Sequence, residues 1–359
     1  MTRPDHRTGS LRATRRIRPG RRELLLGSGL LAAGALSACA SEVEPPAAPV
    51  TGPELEAPTP VQTEEQLSTA ISEIHEAVAA ADEKRSAKPL DPRVVGSAQE
   101  FRSKLYKLIK KSKGFAKDLE RPGASMVMPL TSVDAEFPRT AIALVEDAGD
   151  SGVPFFMALR QESAKDPYTT WGWAQQAVGV EMPDVANALV GSQQVGPDAD
   201  DLLMTPMAAL KLYAKVLSDG DEADPDDKLA DDPFKVQTHK NIAQERKELN
   251  TGVDYDEAAT IKEVWTVREE DFVGLRTDEG GALVMSTITS KRTVRIKERG
   301  TMRYEEENPY TKAAGTREFN ENFIRTFGTH VAVHIPPKGA KGKIQPVGAT
   351  QTVLGVTGE

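Results

Sequence analysis

Few residues in this sequence are suited to bind or react, and most of them sit in patterns with a plainer structural explanation. Tyr168, Trp171 and Trp173 form the densest aromatic cluster in a chain with only 5% aromatic residues, and Trp265 is a lone ring in the second half. Such rings can line the mouth of a ligand pocket. They can also fill a core while a polar tip finds a partner, which is the expectation here. His330 and His334 suggest a metal pair, but on a strand their backbones would stand ~13 Å apart, too far for one ion. His75 and His239 stand on predicted helices without a ligand-type companion. The acidic run Asp219 to Asp227 invites calcium, yet the twelve-residue loop needs a ligand where Ala223 stands and a glycine just after it. A solvated loop is expected there. Asp134, Glu136 and Glu263 could serve as general acids or bases only if they face an interior that raises their pKa. No nucleophile elbow, phosphate loop or paired-carboxylate signature is present. Neither a catalytic residue, a metal nor a cofactor is therefore expected. A different chemistry comes from residues 102–117, where Arg102, Lys104, Lys107, Lys110, Lys111, Lys113 and Lys117 occur with no acid. A plain solvated helix face is the expectation there, with Lys104, Lys107, Lys110 and Lys111 as candidates for contact with an anionic surface. Finally, Cys39 is the single thiol of the chain.

The start of the chain positions that thiol. Residues 1–23 carry eight arginines against Asp5 and Glu23, and an apolar run of 13 residues, Leu24 to Leu36, follows. The run is shorter than the ~20 residues a membrane-crossing helix needs. A basic stretch, a short apolar stretch and small residues form the pattern of a secretory signal. Leu36-Ser37-Ala38-Cys39 resembles the bacterial lipobox. That resemblance implies a signal peptide over 1–38, cleavage before Cys39, and acylation of its thiol and new amino group. The product would be a lipoprotein on the extracytoplasmic face of the cell membrane, since two or more acyl chains hold firmly where one is marginal. Arg21-Arg22-Glu23-Leu24-Leu25 also resembles a twin-arginine export signal, which implies export of a folded chain.

Once the signal is removed, 37 basic residues face 52 acidic ones, a net charge near −15. That balance argues against a nucleic-acid partner. Residues 39–62 hold the lipidated cysteine and a proline-rich stretch that cannot pack a core and should act as an extended tether.

The elements that must position the remaining candidates begin at Thr63-Glu64-Glu65-Gln66, which fits a capping box. Leu67, Ile71, Ile74 and Val78 recur at helical spacing after it, and a second helix opens near Asp91-Pro92. From Met126 the pattern turns to strands, with a turn at Ala148 to Gly152. The same order then repeats. Helices start at Thr205-Pro206 and near Asp232-Pro233, and strands follow Thr260 around a hairpin at Asp278-Glu279-Gly280-Gly281. Even the closing segments, Val190 to Gln194 and Val347 to Gln351, look alike. Helices followed by a curved antiparallel sheet, used twice, predict an α+β chain with domains at 63–200 and 201–359. This plan is similar to the cone-shaped nuclear transport factor 2-like, or cystatin-like, class. With its signal, tether and the Tyr168–Val178 segment, the whole chain also resembles uncharacterised actinobacterial lipoproteins, a resemblance that brings no known activity.

The expected function is accordingly that of a membrane-anchored binding or scaffold module. Its partners would be the membrane through the anchor, anionic lipid or cell-wall polymer, and an envelope protein. A cone-fold enzyme acting on a small molecule or wall fragment is the alternative. Buried ionisable groups facing an open pocket would favour the enzyme, and a filled interior would favour the module.

Overall fold

Helix α1 (Glu64–Lys84) starts at the capping box in the computed structural model, which describes residues 58–359 apart from 150 and 255. Thr63 Oγ1 accepts from Gln66 N–H at 3.2 Å, and Gln66 Oε1 accepts from Thr63 N–H at 3.0 Å. The stripe Leu67, Ile71, Ile74 and Val78 is buried as its spacing requires. Helix α2 (Gly96–Lys111) begins later than Asp91-Pro92. Residues 88–90 make a single tight turn first, a further turn follows over 91–93, and Val94 then bridges to Thr170. Cys39, the export signal and most of the tether lie outside the described residues.

Strands β1 (Pro122–Thr131), β2 (Arg139–Asp147), β3 (Phe155–Gln161) and β4 (Thr169–Gln175) form one antiparallel meander. Helices α3 (Pro206–Asp219) and α4 (Pro233–Leu249) follow, each with a proline in its first turn. A second meander is built from β5 (Ala259–Arg276), β6 (Ala282–Ile296), β9 (Asn322–Ile335) and β10 (Gln345–Gly358). A small insertion separates β6 from β9: β7 (Met302–Arg303), α5 (Pro309–Ala314) and β8 (Glu318–Phe319). The chain is therefore α+β, with helices laid on antiparallel sheets.

The order of elements repeats, but the core does not divide with it. On one face of the first sheet, Ala141, Ala143, Val145, Phe155, Met157 and Leu159 pack under α1 and α2. On the other face, Ile142, Leu144, Phe156 and Ala158 meet Leu275, Leu283, Met285 and Ala332 of the second sheet. Covered on both faces, β2 and β3 must be apolar without alternation, and their sequences are. Helix α3 covers the opposite face of the second sheet, with Leu210, Tyr213 and Leu217 against Trp265, Val284 and Val333.

The sheets are also hydrogen-bonded to each other at both margins. Ser192 N–H donates to Thr131 O at 2.8 Å, while Arg276 N–H and Val195 N–H reach Gln193 O and Gly274 O at 3.0 and 2.9 Å. Residues 190–195 thus join β1 to β5. Unlike Val347–Gln351, which lies in β10, the similar Val190–Gln194 segment forms no strand of its own meander. Opposite, Ala177 N–H donates to Val347 O at 2.7 Å and Gln175 N–H to Thr350 Oγ1 at 2.9 Å.

One close approach makes a direct test of this packing. The Phe101 ring of α2 lies on the backbone of Gly328 in β9, where a β-carbon would stand only 2.2 Å from the ring Cζ. Gly328→Ala should lower stability by ~1–3 kcal/mol, the usual cost of overpacking, as read by urea denaturation. An unchanged midpoint would mean that α2 is not seated there.

Candidate functional site

The aromatic and histidine candidates meet at one place, where α2 crosses β4 and β9. His330 is 3% exposed. Its ring stacks on Phe101 at 5.0 Å and lies 6.2 and 6.0 Å from Trp171 and Trp173. Trp173 N–H donates to Nδ1 at 3.4 Å, so Nε2 carries the proton and donates to Ser97 Oγ at 3.1 Å. Ser97 in turn donates to Trp171 O at 2.9 Å and lies 2.9 Å from Thr287 Oγ1. Burial pushes the His330 pKa down to about 3, with Arg102 and Arg268 adding repulsion. Asp271 stands beside this group, near the Ser97 and Thr287 hydroxyls, and burial raises its pKa.

Serine, histidine and aspartate here do not make a nucleophile. A catalytic histidine must accept the serine proton, whereas this one donates to the serine oxygen. The arrangement is a closed polar knot that ties α2 to strands of both sheets.

The other ring candidates are dispersed. Trp171 and Trp173 are 5% and 3% exposed and Trp265 is 5% exposed, the last packed edge-on against Phe234 under α3. Tyr168 is half-buried and separate from the tryptophans, lining a groove of about 520 Å³ with Arg93, Arg139 and Glu73. His334 is half-buried four residues along β9 from His330, and His75 Nδ1–H donates to Pro122 O at 3.1 Å. His239 on α4 is also half-buried. The acidic run is shared among separate lysines: Asp221 contacts Lys235 at 2.9 Å, Asp226 contacts Lys228 at 2.9 Å, and Asp227 contacts Lys343 at 2.6 Å. Among the described residues no three ligand-type side chains converge.

Of the carboxylates, Glu136 is exposed and Asp134 accepts from Gln194 N–H at 2.6 Å, holding the segment that joins the sheets. Glu263 does point inward, with a side chain 0% exposed. Ser290 Oγ donates to its Oε1 at 2.5 Å and Arg292 Nε to its Oε2 at 2.7 Å. Arg292 also reaches Glu245 of α4 at 3.5 Å, and Glu245 pairs with Arg325 of β9. Both guanidiniums lie over rings, Arg292 over Phe327 at 5.5 Å and Arg325 over Phe323 at 5.0 Å. The polar helix α4, which buries only Lys235 and Thr238, is thus fastened to the second sheet by an alternating ionic chain. Glu263 is spoken for on both oxygens and acts as an anchor.

The cations of α2 and of the turn that follows it divide in two. Arg102 is 4% exposed, sits 5.3 Å from the Trp173 ring centre and donates to Glu120 O. Lys104 pairs with Glu100 at 2.6 Å, and Glu100 also holds Arg268 of β5 at 2.7 Å. Lys107, Lys110, Lys111, Lys113 and Lys117 are exposed, and Lys111 Nζ donates to Ala313 O at 2.9 Å. These five exposed cations form a local positive patch that could attract anions.

Ser97, Thr287, Asp271, Arg292, Glu245 and Arg325 were not singled out by sequence. Their partners lie far away in the chain, up to 233 residues for Ser97 and His330, so no local pattern could mark them. A family model described as a domain of unknown function (DUF8094) matches residues 58–358. No curated protein and no solved structure matches the chain.

Proposed function

We propose, for a chain that belongs to the DUF8094 family, the role of an extracytoplasmic binding module. The module is held on the cell membrane by lipid on Cys39 and turned towards it by the exposed lysines of α2. The observation that carries this reading is the contrast between buried rings and exposed cations. Trp171, Trp173 and Trp265 fill interior space, whereas Lys107, Lys110 and Lys111 project into solvent near the end of one helix. The described part is then two tandem cone-shaped units of the nuclear transport factor 2-like class, at 63–200 and 201–359. Supporting that reading is the same order in each half, two helices and then a four-stranded antiparallel meander.

Cys39→Ser should move the protein out of the membrane fraction, and mass spectrometry of the wild-type amino terminus should find an acylated Cys39. An unmodified end at any other residue would overturn the anchor. Three lysines held at an anionic bilayer contribute ~3 kcal/mol together, roughly a hundredfold in partition. The Cys39→Ser chain should therefore float with phosphatidylglycerol-containing vesicles at low salt and separate from them as salt rises. Adding Lys104→Gln, Lys107→Gln, Lys110→Gln and Lys111→Gln should abolish flotation with no loss of melting temperature. Flotation that survives these changes would remove α2 from the proposal.

A further inference from the structure

The sheet formed by β5 and β6 extends beyond the part that the first sheet covers, and its uncovered end carries a second set of cations. There a concave surface of about 360 Å³ is lined by Thr260, Lys262, Val264, Lys291, Thr293 and Arg295. No acidic residue lines it, and none of its three cations forms an ion pair among the described residues. This is a local reversal of sign in a chain whose net charge is −9.

Register gives the cations an order. Lys262 lies directly across from Thr293, Thr260 across from Arg295, and Val264 across from Lys291. Directly opposed side chains start ~5 Å apart, so two cation–hydroxyl pairs stand side by side on the face. A cation with a neighbouring hydroxyl donor matches a tetrahedral oxyanion, the cation neutralising charge and the hydroxyl donating to a second oxygen. Along β6, Lys291 and Arg295 are ~13 Å apart at their backbones, with Lys262 between them on the next strand. The three cations therefore run as a zigzag along the strands instead of ringing one point. Val264, 47% exposed and across from Lys291 at one end of this row, offers apolar contact to carbon atoms beside the charges.

We infer that the open face of β5 and β6 binds a linear phosphate-bearing polymer, with Lys262/Thr293 and Arg295/Thr260 gripping successive phosphates and Lys291 completing the row. The site is separate from α2 and does not depend on the membrane-facing role given to that helix. A carboxylate polymer would satisfy the cations but offers planar groups with fewer oxygens for the paired hydroxyls. A single phosphate would use only one of the pairs.

Long-chain inorganic polyphosphate is the probe, titrated into the full chain in neutral detergent, with inorganic phosphate and polyglutamate of matched charge beside it. Polyphosphate should bind at least tenfold more tightly than either comparison, and its affinity should fall steeply with salt. The variant Lys262→Gln/Lys291→Gln/Arg295→Gln changes side chains that contact solvent and should keep the wild-type melting temperature. It should weaken polyphosphate binding about a hundredfold at low salt and lower the slope of log K against log salt by about two, as loss of three contacts to a single-stranded polyanion requires. Thr293→Val should weaken polyphosphate more than polyglutamate. The inference is overturned by equal binding of inorganic phosphate, by equal binding of polyglutamate, by an unaffected triple variant, or by loss on replacing the α2 lysines instead.

Discussion

Arg292→Met should destabilise the protein by ~3–5 kcal/mol, the cost of leaving one member of a buried ion pair without its partner. The Glu263 side chain is 0% exposed and would keep only the Ser290 hydroxyl. Glu245 would lose one of the two guanidiniums that hold α4 on the sheet. The apolar contacts of α4 are only partial, through Phe234, Ile242 and Leu249, and its fully buried residues are Lys235 and Thr238, so the ionic chain carries much of its attachment. The loss should be largely reversed in Glu263→Leu/Arg292→Met, because two apolar chains of similar volume need no charge partner. Urea denaturation of the two variants decides the matter. A silent single variant, or a double variant weaker than the single one, would show that the chain of charges does not fasten α4.

The second large effect is on pH. His330 stays neutral in the fold because burial takes its pKa from 6.5 to about 3. The unfolded chain binds a proton there that the folded chain refuses, so stability is greatest above pH 6.5 and is lost as pH falls towards 3. Inside that window one such group contributes a slope of about 1.4 kcal/mol per pH unit. Asp118 acts in the opposite sense. Burial raises its pKa to about 6 from 3.8, so its contribution is present below 3.8 and lost as pH rises through 6. Asp271, also raised by burial, works in the same direction as Asp118. Replacing the histidine separates these terms. His330→Phe keeps the stack on Phe101 but leaves Trp173 N–H without its acceptor, and should cost ~1–3 kcal/mol near pH 7.5 for the unsatisfied donor. Between pH 6 and 4 its stability should fall less steeply than that of the wild type, or even rise. Parallel curves for the two proteins would mean that His330 is not the refused proton.

How much of this was legible in the sequence depends on the range of the interaction. Thr63 and Gln66 are three residues apart, so their capping box could be read directly. Asp278 to Gly281 likewise marked the hairpin between β5 and β6, and Pro206 and Pro233 marked two helix starts. The partner of Glu263 could not be found in that way. Counting back from the hairpin, where Arg276 faces Ala282, would put Glu263 opposite Arg295, whose side chain points to solvent. Residues 269–271 have no partner across the ladder, and that bulge shifts the register so that Glu263 faces Arg292 instead. An odd-numbered shift also turns the side chains of one strand segment over. The same bulge carries Asp271 into the polar knot at His330. For α2, composition marked the lysines but not their division, since burial of Arg102 depends on where Trp173 and Glu120 come to lie. The Val190 to Gln194 segment resembles Val347 to Gln351 of β10 in sequence, yet it takes a different structural place. Its neighbours in space, the ends of β1 and β5, decide that place.

The joints between the sheets have a consequence for the company the protein keeps. A sheet edge with free N–H and C=O groups is a template on which another chain can add a strand, and the hazard grows with local concentration. Here the end of β1 and the end of β5 are taken up by residues 190–195, and the outer side of β4 is occupied by Arg93 to Val95, His330, Thr350 and Val347 in turn. Trp265 N–H, midway along the outer edge of β5, is claimed by Ser218 Oγ at 2.8 Å. Copies brought close together therefore find these backbone groups already committed within each molecule. Crowding can bring their surfaces together without seeding strand exchange at these positions.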